Sequence, residues 1–177
     1  MATTTPAAKP TGRPDDVDVI VDQWAREMPD LDTRSMEIFG RIYRLAGLMG
    51  DRLERAYGKH GISRAEFDVL ATLRRAGAPH RLAPTDLARS MMITTGGMTG
   101  RLDRLVRAGL VERVPHPTDK RGVFAQLTEA GLDVIDSAVV AGVDAQSFVA
   151  DQLGDAGSRE LADHLREVLH VLETRRS

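Results

Sequence analysis

Three glycines stand close together in the middle of the chain, in the run Gly96-Gly97-Met98-Thr99-Gly100. Runs of this kind can wrap a nucleotide phosphate, provided that they follow a buried strand and open a helix. Here the preceding residues 86–92 have the apolar period of a helix, and the chain contains no Gly-Lys-Ser or Gly-Lys-Thr sequence. The glycines therefore do not indicate a nucleotide-binding enzyme.

The residues after the glycines have the pattern of an amphipathic helix, with Met98, Leu102 and Leu105 on one face. A helix before this segment and a hairpin after it complete the order of a winged helix-turn-helix. Small residues at the exposed start would let the backbone approach the floor of a DNA major groove. Arginines further along would reach phosphates, and the basic hairpin tip would reach a minor groove. The residues predicted to contact DNA are Thr94, Thr95, Gly96, Thr99, Arg104, Arg107, Lys120 and Arg121.

Two other functions fit parts of this pattern. A capped helix and a hairpin also occur in proteins that do not bind DNA, so a winged-helix interaction module stays open as an alternative. An enzyme is disfavoured, because the sequence shows no nucleophile–base pair and no metal-ligand cluster. His164 and His170 share a helix, but their spacing puts them on different faces, so we expect no zinc site. We expect no cofactor.

Capping residues mark the helices around this segment. Ser63 and Glu66 form a capping box, Pro84 suits the first turn of a helix, and Thr128 caps a long helix. The fold class is thus mainly α with a small β-hairpin wing. The predicted helices lie at about residues 17–28, 32–57, 64–76, 84–91, 95–108, 128–153 and 158–172, and the predicted strands at 110–114 and 123–127.

The pattern divides the chain into four parts. Residues 1–14 are rich in Thr, Pro and Ala and are expected to be a disordered tail. Residues 15–60 form N-terminal helices for dimerisation and a ligand pocket, 61–131 the winged helix-turn-helix, and 132–177 C-terminal dimerisation helices. The terminal helices carry more apolar surface than a small winged unit can cover, which favours a homodimer.

The composition limits where the protein acts and what it contacts. The chain has no cysteine, no signal-peptide pattern and no membrane-spanning apolar run, so we expect a cytoplasmic protein. The formal net charge is only −2 and does not by itself predict a polyanionic partner. Residues 84–131 carry seven Lys or Arg against five Asp or Glu, whereas residues 132–177 carry four against nine. The basic surplus lies around the glycine-rich helix.

The segment from residue 82 to residue 131 resembles the MarR family of bacterial transcriptional regulators. The resemblance rests on the helix-turn-helix, on "LVRAGLVERV", on "DKR" at the hairpin tip and on "LTEAG" at the next helix, and it extends over about residues 17–175. It implies a winged-helix homodimer on a roughly palindromic operator, usually repressing a neighbouring gene. His116 departs from the family, where an aspartate more often precedes the proline. Asp119 is in place, and the resemblance implies that it orients Arg121.

A narrower resemblance is to the urate-responsive branch of that family. It rests on "VDQWAREMPDLD", "GRIYRLAGLM" and "EFDVLATLRRAGAP". The branch has an extra N-terminal helix that bears a tryptophan, and Trp24, Asp68, Arg101 and Arg113 stand at its matching positions. The resemblance implies that Trp24 and Arg101 hold the anionic purine, while Asp68 and Arg113 pass its arrival to the DNA-reading helix.

The helical position of Arg101 agrees with an anion site. It precedes Leu102 and follows Met98 by three residues, so its side chain points partly toward the core. A buried guanidinium needs an anionic partner, and Asp68 could provide it in the free protein. A planar anion would compete with Asp68 and stack on Trp24. Alternatively, Trp24 is a core anchor and Asp68–Arg113 a structural ion pair.

The effector is open to three interpretations. Urate or a related purine fits a stacking tryptophan. An arginine pair would equally serve a small polycarboxylate such as citrate or trans-aconitate. A phenolic ligand, which the wider family resemblance also implies, is the third.

Overall fold

A computed structural model describes residues 13–91, 95–115 and 122–175 of the 177-residue chain, apart from the Thr95 side chain. The chain forms two compact units, of which one ends at Gly50 and the other begins at Asp51. The described helices are α1 (Asp16–Glu27), α2 (Arg34–Gly58), α3 (Arg64–Arg75), α4 (Pro84–Ser90), α5 (Thr95–Arg107) and α6 (Glu129–Thr174). The described strands are β1 (Arg81–Leu82), β2 (Val111–Pro115) and β3 (Val123–Leu127).

In the first unit, α1 packs on α2 through one apolar contact and a set of ion pairs. Val17 is buried, and a Cβ at Gly40 would lie 3.0 Å from its Cγ1, so the glycine lets the two helices approach closely. Arg41 bonds to Asp15 at 2.9 Å and to Asp18 at 2.7 Å. Desolvation acts to raise the pKa of Asp15, but hydrogen bonds from the amides of Asp18 and Val17 and from Arg41 lower it.

The second unit contains the predicted winged helix-turn-helix. Ser63 and Glu66 form the expected capping box at α3. Pro84 begins α4, and its N-cap Ala83 makes no side-chain capping bond. The core is made by the apolar faces of the helices and of the sheet. Its largest fully buried side chains are Leu70, Leu73, Leu87, Met98, Leu102, Leu105, Ile135, Val69 and Val111.

The sheet has three strands rather than the two of the predicted hairpin. Its order is β1-β3-β2, all antiparallel, with Val111 opposite Leu127 and Arg81 opposite Gln126. The sequence analysis missed β1 because two residues are too short to show an alternating pattern. The strand exists because β3 offers a free edge, and the backbone pairing continues where the amide of Leu127 donates to the carbonyl of His80 at 3.1 Å.

The long helix α6 is interrupted at Gly154, where φ is 67° and ψ is 174°. This conformation lies in the region of positive φ that glycine adopts most easily. The predicted end of the helix near residue 153 therefore corresponds to a real break. None of the described helices is both long enough and apolar enough to span a bilayer.

Two close contacts tie α6 to the rest of the second unit. The ring of Tyr57 stacks on Phe67 with centroids 4.0 Å apart, and a Cβ at Gly142 would lie 2.6 Å from the Tyr57 hydroxyl. At the start of α6, a Cβ at Gly131 would lie only 2.0 Å from the carbonyl oxygen of Leu110. The glycine of the "LTEAG" run is thus required by packing against the turn after α5.

We expect Gly131→Ala to destabilise the protein. In an open helix the change would add up to about 1 kcal/mol of stability, but the contact with Leu110 forces a backbone shift that costs about 1–3 kcal/mol. Gly47→Ala in α2 is the matched control, since a Cβ there meets no described atom within 4 Å. Thermal unfolding should show a lower Tm for Gly131→Ala only. An unchanged or raised Tm would contradict the packing assignment.

Candidate nucleic-acid interface and anion site

The helix α5 buries one face and exposes the other. Met98, Leu102 and Leu105 are all buried in the core, whereas Gly96 and Gly100 are exposed on the opposite side. A Cβ at either glycine would meet no described atom within 4 Å. Packing against the described residues therefore does not require glycine at these positions. Their small size instead suits the close approach of something outside the chain.

The predicted phosphate-binding residue Arg104 is tied back to α3. Its Nε donates to Oε1 of Glu66 at 3.2 Å, and the Arg104 side chain remains half exposed. Glu66 also accepts from the amide and the hydroxyl of Ser63. Burial acts to raise the pKa of Glu66, but the bonds from Ser63 and Arg104 outweigh it and lower this pKa. The sequence analysis identified the cap and missed the ion pair, which depends on tertiary packing.

Two arginines converge on Asp103 of α5. Nη2 of Arg113, in β2, donates to the Asp103 carboxylate at 2.7 Å. Nε of Arg107, one turn further along α5, donates to the Asp103 backbone carbonyl at 3.2 Å. Asp103 was not among the residues predicted from the sequence. The only available signal was an acidic residue on the same helical face as Gly96, Gly100 and Arg107.

The predicted partner of the arginines, Asp68, takes another position. It lies exposed on α3, where its backbone carbonyl accepts from the Thr72 hydroxyl at 2.7 Å. Burial, followed by the negative charge of Asp68, raises the pKa of the Tyr57 hydroxyl. Among the described residues, the ion pair of Arg113 is made with Asp103, so the Asp68–Arg113 pair is corrected. The reason is proximity: the turn after α5 brings β2 back beside that helix.

Arg101 is half-buried on α5, as its spacing predicted. Its Nη1 lies 3.5 Å from the backbone carbonyl of Ala65 in α3, a long contact with a neutral acceptor. Among the described residues no ion pair joins it to Asp68, so that predicted pairing is corrected too. The guanidinium is directed at the start of α3 and is not neutralised by an acid there.

Trp24 belongs to the first unit, on α1, and its side chain is 41% exposed. The same unit contains a groove of about 480 Å³ between α1 and α2, and the indole is outside its lining. The groove is lined by Asp16, Val17, Ile20, Ser35, Met36, Phe39, Gly40, Tyr43 and Arg44. An exposed indole does not support the core-anchor alternative.

The predicted DNA contacts are only partly within the described residues. Thr94, Lys120 and Arg121 lie outside the described residues, as do His116 and Asp119. Thr95 begins α5, but its side chain is not described. Thr99 is exposed near the start of α5, beside Gly100.

The arrangement of α3, α4, α5 and the sheet defines a winged helix-turn-helix protein. Residues 60–122 match the MarR family. The HTH-type transcriptional regulator PecS of Dickeya dadantii (strain 3937) is 37% identical over 158 residues, which are 89% of this chain and 93% of that protein. The chain belongs to the MarR family of transcriptional regulators, and its similarity to PecS is consistent with the predicted branch.

Solved structures of the family superpose on the chain, among them two in complex with DNA. A mutant MarR from E. coli complexed with operator DNA has a TM-score of 0.65 and 28% identity, covering 82% of this chain and 97% of that one. Sco3205 from Streptomyces coelicolor, a MarR family regulator in complex with DNA, has a TM-score of 0.71 and 29% identity. This second match covers 80% of this chain and 89% of that one.

The Glu66–Arg104 pair predicts a pH-dependent contribution to stability. The pKa of Glu66 is below its ordinary value of 4.5 in the folded protein. The contribution is therefore present above pH 4.5 and is lost as the pH falls through the lower folded pKa. Glu66→Gln keeps a capping side chain and removes the charge, so it should lower the Tm by about 2–4 °C at pH 7.

The measurement is thermal unfolding of the wild type and Glu66→Gln between pH 7 and pH 3, with Glu112→Gln as a control for loss of an exposed carboxylate. The Tm difference for Glu66→Gln should shrink with acidity. A difference that stays constant over this range would contradict the charge assignment.

Proposed function

We propose that the chain is a ligand-responsive repressor that binds a palindromic operator as a homodimer and is released from it by a small anion. The anion favoured by the sequence is urate or a related purine. The observation that carries DNA binding is the start of α5, where Gly96 and Gly100 are exposed and a side chain at either position would meet no described atom within 4 Å. The relatives solved with DNA support the same interpretation.

In this proposal α5 enters the major groove with its glycine-rich start leading. Gly96, Thr99 and the preceding Thr94 and Thr95 lie at the groove floor, and the positive N-terminal end of the helix faces a phosphate. Arg107 reaches the backbone from the exposed face. The exposed part of the Arg104 guanidinium contacts a DNA phosphate, while its Nε stays bonded to Glu66. Lys120 and Arg121 are the proposed minor-groove contacts of the wing.

A homodimer would cover apolar side chains that the single chain leaves exposed. Each of the helices α2 and α6 presents a row of them, and burying such surface is the usual driving force for association. The large exposed apolar residues of these helices are Ile38, Tyr43, Leu45 and Leu48 on α2 and Val139, Val140, Val143, Phe148, Val149, Leu153, Leu161, Leu165, Leu169, Val171 and Leu172 on α6.

The proposed effector site uses Arg101, Arg113, Asp68 and Trp24. Arg101 offers a half-buried guanidinium without an acidic partner among the described residues, which is the property an incoming anion needs. Arg113 is paired with Asp103, so an anion that engages Arg113 must compete with that carboxylate. Such competition would connect effector binding to α5. A polycarboxylate or a phenolic acid is the alternative occupant.

We expect Arg107→Ala to weaken binding to any duplex DNA and to reduce the slope of log K against log salt by about 1, because one phosphate contact is lost. Arg159→Ala, which removes an exposed arginine from α6, is the matched control and should leave the slope unchanged. Fluorescence anisotropy over a salt series measures both. Equal slopes for Arg107→Ala and the wild type would remove Arg107 from the interface.

We expect urate to raise the Tm of the wild type and to leave the Tm of Trp24→Ala unchanged, because the variant lacks the stacking surface. Operator binding by Trp24→Ala should persist, since the indole is exposed and its removal empties no core. Tyr43→Ala, which truncates a 73% exposed aromatic residue of the same unit, is the control.

A thermal-shift series with urate, citrate and salicylate separates the three effector classes. A urate response that survives in Trp24→Ala but disappears in Tyr43→Ala would relocate the ligand to the groove between α1 and α2. Stabilisation by citrate or salicylate alone would replace urate as the effector.

A further inference from the structure

A carboxylate lies in the middle of the face that we propose turns toward DNA. Gly96, Gly100, Asp103 and Arg107 follow one another at spacings of four, three and four residues, so they form one stripe along α5. This stripe is opposite the buried residues Met98, Leu102 and Leu105. A negative charge on such a stripe repels phosphates, so its presence requires another reason.

We infer that Asp103 is a positioning residue of the DNA-reading helix, acting through its ion pair with Arg113. The inference rests on the proposed function, because it assigns a task within DNA binding. The Arg113 guanidinium donates to the Asp103 carboxylate at 2.7 Å and joins α5 directly to β2, the first strand of the wing.

The geometry gives α5 two lateral ties in addition to its buried face. Asp103 and Arg104 are adjacent, so their side chains leave the helix about 100° apart. Asp103 is held by β2 through Arg113, and Arg104 is held by α3 through Glu66. The apolar face sets how deeply α5 sits on the core. The two ion pairs restrict rotation of α5 about its own axis, which decides where Gly96 and Thr99 point.

The pairing also removes the electrostatic disadvantage of the carboxylate. Arg113 neutralises Asp103, and the two side chains are 42% and 54% exposed respectively, so the pair stays at the surface that faces DNA. An exposed pair contributes little to global stability. Its loss should therefore appear in recognition of DNA sequence rather than in the Tm.

The test is a comparison of Asp103→Ala and Asp103→Glu in the full-length chain. The probes are a 30-base-pair duplex that the wild-type protein selects from a random-sequence pool and a scrambled duplex of the same composition. Glu112→Gln is the matched control, because it removes a neighbouring carboxylate of β2 without touching the Asp103–Arg113 pair.

We expect Asp103→Ala to bind the selected duplex about fivefold more weakly, as is typical for a residue that affects binding without touching the ligand, with unchanged affinity for the scrambled duplex and an unchanged Tm. Asp103→Glu should recover most of the affinity. If only electrostatics mattered, removing the negative charge of Asp103 would make Asp103→Ala bind DNA more tightly. Tighter binding is the result that we expect for the control, Glu112→Gln. In an Arg113→Ala background, Asp103→Ala should cause no further weakening.

Equal or tighter binding by Asp103→Ala would overturn the inference while leaving the proposed function intact. Weakening that persists in the Arg113→Ala background would also overturn it, by assigning Asp103 to a direct base contact. If Asp103→Ala lost the same affinity for both duplexes and also had a lower Tm, Asp103 would have only a structural role. That result would overturn the inference. If the wild type selects no duplex at all, the proposed function fails, and this inference fails with it.

Discussion

The burial of one face of α5 is the contact on which the rest of the second unit depends. Met98, Leu102 and Leu105 are buried together with residues of α3, α4 and the sheet, so the same helix that closes the core also presents Gly96 and Gly100 to the outside. A helix can serve both purposes only because its two faces are separated by half a turn. That buried contact is the main one. It is supplemented by the ion pairs Glu66–Arg104 and Asp103–Arg113 and by the turn at Gly109, where φ is 72°.

Much of the fold was predictable because its signals are local. A capping box at Ser63 and Glu66 and a threonine cap at Thr128 each act within a few residues, and the structure has both where expected. The strand β1 was missed because its only reason to exist is the edge of β3, which is 43 residues away at the nearest pair, Leu82 and Ala125. Short strands formed by a remote partner leave no period in their own sequence.

The site was less predictable, because the partner of a charged side chain depends on which residues lie near it in the folded chain. The face of Arg101 followed from its place between Met98 and Leu102, and the structure leaves it half-buried. The partner of Arg113 did not follow, because the sequence pattern pointed to Asp68 and gave no sign of the pair with Asp103. Only the return of β2 beside α5 selects Asp103. Helical periodicity therefore predicts which way a charged residue points, and tertiary structure decides what it meets.

The contact between Gly131 and Leu110 has a mechanical meaning. With no side chain between them, the first turn of α6 packs directly against the turn after α5. The part of α6 before the break at Gly154 spans 25 residues, about 37 Å, and starts at this contact. Because the contact lies at one end of so long a helix, a tilt of a few degrees about it would displace the other end of that segment by a few ångströms.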